Sequence, residues 1–270
     1  MAEEELCLTV DSVHFSGFTL DYFAFGRGQK PMVIIPGMSV KSVIASAEAV
    51  ADTYACFVEE YRIYLLDYRQ ELPLGFTVRQ MAGDAAAAMR RLGIRGAAVQ
   101  GVSLGGMVAQ YLAIDAPELV EKLILGSTLS RHTKKTRRIF EEWAYLARAE
   151  DRQGLQRSIA GKVYSPDYVK TYRAAFDAQA ESFAPEEMER YARLCESCMG
   201  FSAYDELGAI RCPVLVMGSW RDRTLFPEGS MTLAKRLKCD LYLYAGYSHA
   251  VYDEAPDYRR RLTDFLQNEQ

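Results

Sequence analysis

Short apolar runs rich in strand-forming residues alternate along the chain with longer stretches in which apolar positions recur every three to four residues. The runs at 6–10, 18–25, 32–35, 62–66, 97–100, 122–125, 214–217 and 241–244 predict eight strands. Stretches such as 77–92, 105–115 and 257–265 predict helices. This alternation predicts an α/β fold, a mostly parallel sheet covered by helices on both faces, because strands buried on two sides read as continuous apolar runs. The first two strands read as an antiparallel hairpin at one edge. Pro117, Pro213 and Pro256 fall where a helix stops or a strand begins, places that tolerate a fixed φ and a missing N–H.

From 131 to 204 the strand pattern vanishes and the sequence turns helical, charged and aromatic. An all-helical insert between two strands of one sheet predicts a core built from 1–130 and 205–270, with 131–204 as a helical lid. Its aromatic residues, among them Phe140, Trp143, Tyr145, Tyr164, Tyr168, Tyr172, Phe176 and Tyr191, either pack the helices on one another or line a pocket. The basic run from Arg131 to Arg138 reads as a solvated first helix in preference to an anion site. Cys195 and Cys198 follow Met188 and Tyr191 at helical spacing, so this C-x-x-C reads as an apolar helix face; no second Cys or His pair lies nearby to complete a metal site.

Composition narrows the function classes. With 270 residues, 49% of them hydrophobic, the chain can bury one large core. A net charge of -4 supplies no cationic field for nucleic acid or an acidic membrane surface. No apolar run approaches the roughly 18 residues of a membrane span. Met1-Ala2-Glu3-Glu4-Glu5 lacks the basic and apolar regions of a secretory leader, and the six scattered cysteines suit reduced thiols, so a cytoplasmic location is expected. Neither cofactor nor metal is expected, and the partner left is a small molecule.

The sharpest chemical signal is Gly101-Val102-Ser103-Leu104-Gly105, extended by Gly106, directly after the strand at 97–100 and directly before a helical run. G-x-S-x-G at a strand-to-helix junction places a serine on a tight, strained turn. Side chains two positions before and after that serine would collide with the neighbouring helix and strand, and glycine removes both collisions. The Leu104 N–H, at the helix N-terminus, points at the same spot and favours negative charge there. Serine is a poor nucleophile near pH 7 and needs a base. Of the three histidines, His14 lies in the hairpin and His132 at the mouth of the insert, whereas His249 follows the last strand, on the rim where Ser103 is expected. His249 is the candidate base. A carboxylate should hold the imidazole in one tautomer, and Asp222, in the loop after the seventh strand, is placed for it; Arg221 and Arg223 offer the alternative of a surface ion pair. The second oxyanion donor is expected in the loop Pro36-Gly37-Met38-Ser39, from the Met38 N–H.

With these residues placed, the chain resembles the α/β-hydrolase superfamily of the small, lid-bearing esterase and enol-lactonase type. The resemblance covers nearly all of the chain outside the lid. It rests on the stretch from Gly101 to Gln110, on Ala116-Pro117-Glu118-Leu119-Val120, on Ile210-Arg211-Cys212-Pro213-Val214-Leu215-Val216, and on Ser248-His249 with Glu254-Ala255-Pro256. It implies Ser103, Asp222 and His249 as the triad and Met38 and Leu104 as the oxyanion donors. Two departures stand out: Pro36-Gly37 replaces the family's usual His-Gly, and Asp222 lies one residue further from Gly218 than is usual. Serine at 103, where an aspartate would serve dehalogenation or epoxide opening, argues against both reactions.

The expected function is a serine hydrolase that cleaves a small or medium ester, thioester or lactone through an acyl-enzyme. The alternatives are transfer to a non-water acceptor or carbon–carbon bond hydrolysis by the same triad, and, outside enzymes, a ligand-binding or regulatory protein on this scaffold. Product analysis with an added acceptor separates the first two from hydrolysis, and a single-turnover test separates the last. A histidine base predicts a rate that falls below pH about 6.5, the ordinary value for that side chain. A pH–rate profile flat down to pH about 5 would count against it.

Overall fold

The computed structural model describes residues 6–268, so the Met1–Glu5 stretch and its leader reading lie outside the described residues. Eight strands form one sheet: β1 (Thr9–Phe15), β2 (Phe18–Phe25), β3 (Lys30–Ile35), β4 (Tyr61–Leu66), β5 (Ala97–Val102), β6 (Val120–Gly126), β7 (Val214–Ser219) and β8 (Asp240–Tyr244). Their order is β1-β2-β4-β3-β5-β6-β7-β8. β1 and β2 pair antiparallel and β2 meets β4 antiparallel, while every later pairing is parallel. The expected α/β sheet with its hairpin edge is the observed one.

One strand departs from expectation. The apolar residues at 6–10 predict the first strand there, but pairing runs over Thr9–Phe15, a more polar stretch. The turn decides this: Gly17 takes φ 97°, so Phe15 faces Phe18 across a tight hairpin, and the register carries Thr9 opposite Ala24. As an edge strand, β1 buries little, and its Val10 stays exposed.

Helices cover both faces. α1 (Ala47–Thr53), α2 (Val78–Arg91) and α3 (Leu104–Asp115) precede the insert, and α9 (Pro227–Leu237), α10 (Val251–Glu254) and α11 (Tyr258–Gln267) follow it. The period of two along β3 sorts the core: Val33 and Ile35 face α2 and α3, while Met32 and Ile34 face α1 and α11. α2 opens with a reciprocal cap, Thr77 and Gln80 each satisfying the other's backbone N–H.

Between β6 and β7 the chain forms α4 (Lys134–Arg148), α5 (Arg152–Val163), α6 (Pro166–Thr171), α7 (Arg173–Glu181) and α8 (Pro185–Met199). The basic positions Arg131, Lys134, Lys135, Arg137 and Arg138 are exposed. Met188, Tyr191, Cys195 and Cys198 are fully buried along α8, and no metal-ligating cluster occurs among the described residues. The aromatic residues divide between the two readings. Phe140 packs edge-on against Trp143 within the insert, whereas Tyr164 and Phe176 face a cavity. A buried ion pair ties insert to sheet: Arg190 donates to Asp67 Oδ1 at 3.1 Å and to the carbonyls of Arg69 and Tyr68 at 3.0 and 3.2 Å. No helix among the described residues is long and apolar enough to cross a membrane.

Candidate active site

Ser103 stands between β5 and α3 with φ 54° and ψ -118°, a backbone conformation that costs a non-glycine residue about 1–3 kcal/mol. The glycines on either side explain how the chain tolerates the turn. A Cβ on Gly101 would lie 2.3 Å from the Gly105 carbonyl oxygen, and one on Gly105 would lie 2.0 Å from the Ile35 carbonyl oxygen. Both collisions are with backbone, which has no rotamer to retreat into. Gly105→Ala is therefore expected to cost about 4 kcal/mol or more, measured by urea unfolding of any soluble fraction. A loss under about 1 kcal/mol would mean that the turn relaxes freely. Around the turn, the Ser103 N–H donates to Gly126 O at 2.9 Å and Thr128 Oγ1 donates to the Ser103 carbonyl at 2.8 Å.

His249 and Asp222 meet directly. Nδ1 of His249 lies 2.8 Å from Asp222 Oδ2, both side chains being buried. The other carboxylate oxygen accepts from the Thr224 and Leu225 N–H groups at 2.8 and 2.9 Å. Burial alone would raise the Asp222 carboxyl; the His249 charge, its hydrogen bond and the two backbone donors outweigh this and hold it below the usual carboxylate value. Asp222 is thus ionised at neutral pH, and a carboxylate can only accept, so Nδ1 of His249 carries the proton and Nε2 is left as an acceptor. Arg221 and Arg223 make no ion pair with Asp222 among the described residues; Arg223 donates instead to the Tyr164 carbonyl at 3.1 Å.

Ser103 and His249 line one cavity of about 350 Å³ together with Gly37 and Met38. The structure brings them to the same wall, while no hydrogen bond joins Ser103 Oγ to His249 among the described residues. Catalytic hydrogen bonds are often long before substrate closes the site. Leu104 opens α3, so its N–H belongs to the first turn and has no helical acceptor. Gly37 lies against the serine, its Cβ position being 3.5 Å from Ser103 Cβ, which sets the Met38 loop beside the nucleophile candidate. Pro36, the departure from the family pattern, is anchored through its carbonyl, which accepts from Tyr68 Oη at 2.6 Å. The other histidines lie elsewhere: His14 on β1 contacts Thr19, and His132 is half-buried against Thr136 and Phe140, where desolvation, then the Arg137 charge, pushes it down to about 4.

How the insert docks had no signal in the sequence. The insert docks on both rim loops: Thr224 Oγ1 and Ser248 Oγ each donate to the Lys162 carbonyl at 3.2 Å, and the Ala250 N–H donates to Val163 O at 2.8 Å. Trp143, Tyr164, Phe176 and Phe183 of the insert line the cavity opposite the sheet, with Tyr252 and Asp253 beside His249. Gln100 sits fully buried in the cavity wall, its side-chain amide beside the Tyr54 and Tyr258 hydroxyls.

Comparison with known proteins agrees with this architecture. A family model described as the alpha/beta hydrolase fold matches residues 7–256. The chain is 26% identical over 222 residues to 3-oxoadipate enol-lactonase 2 of Acinetobacter baylyi, covering 78% of this chain and 79% of that protein. It is 27% identical over 183 residues to pyrrolizixenacetamide deacetylase of Xenorhabdus hominickii, covering 67% and 68%. Among solved structures, an alpha/beta hydrolase from a Medee basin deep-sea metagenome library superposes with a TM-score of 0.86 at 17% identity, covering 96% of this chain and 98% of that one. The enol-lactonase of Burkholderia xenovorans superposes with a TM-score of 0.83 at 23% identity, covering 96% and 100%. The likeness in fold and the family match over nearly the whole length lead to one conclusion: the chain belongs to the α/β-hydrolase fold family.

Proposed function

We propose that this protein is a serine hydrolase that cleaves a small or medium ester, thioester or lactone through an acyl-enzyme. The observation that carries the reading is the buried Asp222–His249 pair, whose imidazole lines the same cavity as Ser103. Ser103 Oγ attacks the substrate carbonyl carbon while its proton passes to His249 Nε2. The carbonyl electrons move to oxygen, which accepts from the Leu104 and Met38 N–H groups, each donor of this kind being worth about 2.7–4 kcal/mol. The tetrahedral species collapses, His249 gives its proton to the leaving oxygen or sulfur, and the acyl group stays on Ser103. Water then attacks the acyl carbon as His249 takes its proton; the bond to Ser103 Oγ breaks, His249 returns the proton to that oxygen, and the acid leaves.

The helical insert over the cavity acts as the lid and supplies an apolar, aromatic wall for the acyl or alkyl part. Relatives whose names describe a lactonase and a deacetylase support acyl chemistry as the reaction class. The test is hydrolysis of a short-chain p-nitrophenyl ester with and without an added alcohol. Free acid as the sole product in both conditions is expected; an alkyl ester as the main product in the presence of alcohol would replace hydrolysis with acyl transfer.

A further inference from the structure

Asp253 is a carboxylate in the cavity wall that the proposed mechanism does not use. It lies at the third position of α10, four residues after His249. Its side chain is accessible, yet it makes no ion pair among the described residues. Tyr164 Oη donates to its Oδ2 at a long 3.5 Å. The neighbouring Glu254 is already engaged, accepting from the Ser165 N–H at 3.0 Å and from the Ser165 hydroxyl. The other charges on the cavity are matched: Lys41 faces Glu187 at 3.4 Å, and His249 faces Asp222. Asp253 is therefore the one charged side chain among the described lining residues without an ion pair of its own, the charges of Arg259 and His249 reaching it only from further away. Although the residue reaches solvent, the protein packed around its carboxyl, then repulsion from Glu254, pushes it up to about 6, against the pull of Tyr164, Arg259 and His249. Because the ionised form is the disfavoured one, the fold holds this charge at a cost above that pH, and a nearby cation would remove the cost.

The surroundings suit a cation. The Tyr164 ring packs against Phe176 with centroids 5.3 Å apart, both rings line the cavity, and Tyr252 lines it next to Asp253. Aromatic faces beside a carboxylate attract a cationic nitrogen through the ring quadrupole and the full charge together. We propose that Asp253, with Tyr164 and Phe176, forms a subsite for a positively charged nitrogen carried on the substrate, so that the preferred substrates are esters bearing an ammonium group. This rests on the hydrolase reading for its turnover test, but its binding test does not.

The turnover test compares the acetate ester of choline with that of 3,3-dimethylbutanol, which has carbon in place of the charged nitrogen at nearly the same shape. The wild type is expected to favour the choline ester by about tenfold or more in kcat/KM. Asp253→Asn, which keeps the size and removes the charge, is expected to bring that ratio close to one. A ratio near one in the wild type, or an unchanged ratio in Asp253→Asn, would overturn the subsite. The binding test titrates choline into Ser103→Ala and into the double variant Ser103→Ala with Asp253→Asn by calorimetry. Binding lost with Asp253 supports the subsite, and equal binding or none in both contradicts it. If both esters are cleaved without discrimination, the subsite fails and the hydrolase reading stands. If neither ester is cleaved while choline binding depends on Asp253, the hydrolase reading fails and the subsite stands.

Discussion

Ser103→Ala is expected to lower kcat for a short-chain ester by about a millionfold while leaving the protein folded. The size follows from the role: without the hydroxyl no acyl-enzyme forms, and what persists is the modest help of the oxyanion donors and of binding. That the fold survives follows from the structure. The Ser103 side chain makes no hydrogen bond among the described residues, so its removal leaves no partner stranded. The strained turn is imposed by the backbone and its glycines, and alanine carries the same Cβ. Unfolding free energy should change by about 0.5 kcal/mol or less. A variant with an unaltered urea midpoint and no turnover matches the account. One that retains more than about a hundredth of the rate would move the chemistry away from Ser103.

Asp222→Asn should cost about 10⁴ in kcat, and the reason lies in which way the amide must point. The Thr224 and Leu225 N–H groups, 2.8 and 2.9 Å from Oδ1, require an acceptor there. An asparagine that keeps its oxygen on those donors must turn its NH2 toward His249 Nδ1. The imidazole then has to accept at Nδ1 and carry its proton on Nε2, the nitrogen that should receive the serine proton. The substitution thus installs the wrong tautomer with little change in shape. Measured kcat on the same ester within tenfold of the wild type would mean that Asp222 neither orients nor charges the base.

What could be read in the sequence was the part set by local backbone chemistry. Gly101, Ser103 and Gly105 announce a strand-to-helix turn because only glycine allows backbone to approach backbone as closely as β3, β5 and α3 do there. The central strands β3 to β7 announce themselves because they are largely buried on both faces, and the apolar runs match their ends to within two residues. β1 was misplaced because an edge strand carries a weak pattern and takes its register from the Gly17 turn, not from its own side chains. The insert was legible as helical, but not its docking: the contacts of Lys162, Val163 and Ser165 with the Asp222 and His249 loops join positions about sixty to ninety residues apart and run largely through backbone carbonyls, which leave no mark on residue type. Asp253 was invisible for the same reason. Beside Glu254 it looks like an ordinary charged pair at the start of a short helix, and only the folded insert shows that one of the two faces the cavity.

The most direct test of the central claim is covalent labelling of the wild-type protein with a fluorophosphonate, followed by mass spectrometry of its peptides. The account predicts one added phosphonyl group on Ser103, and no labelling of Ser103→Ala or of wild type unfolded beforehand. A folded wild-type protein that stays unlabelled, or one labelled at another residue, would contradict it.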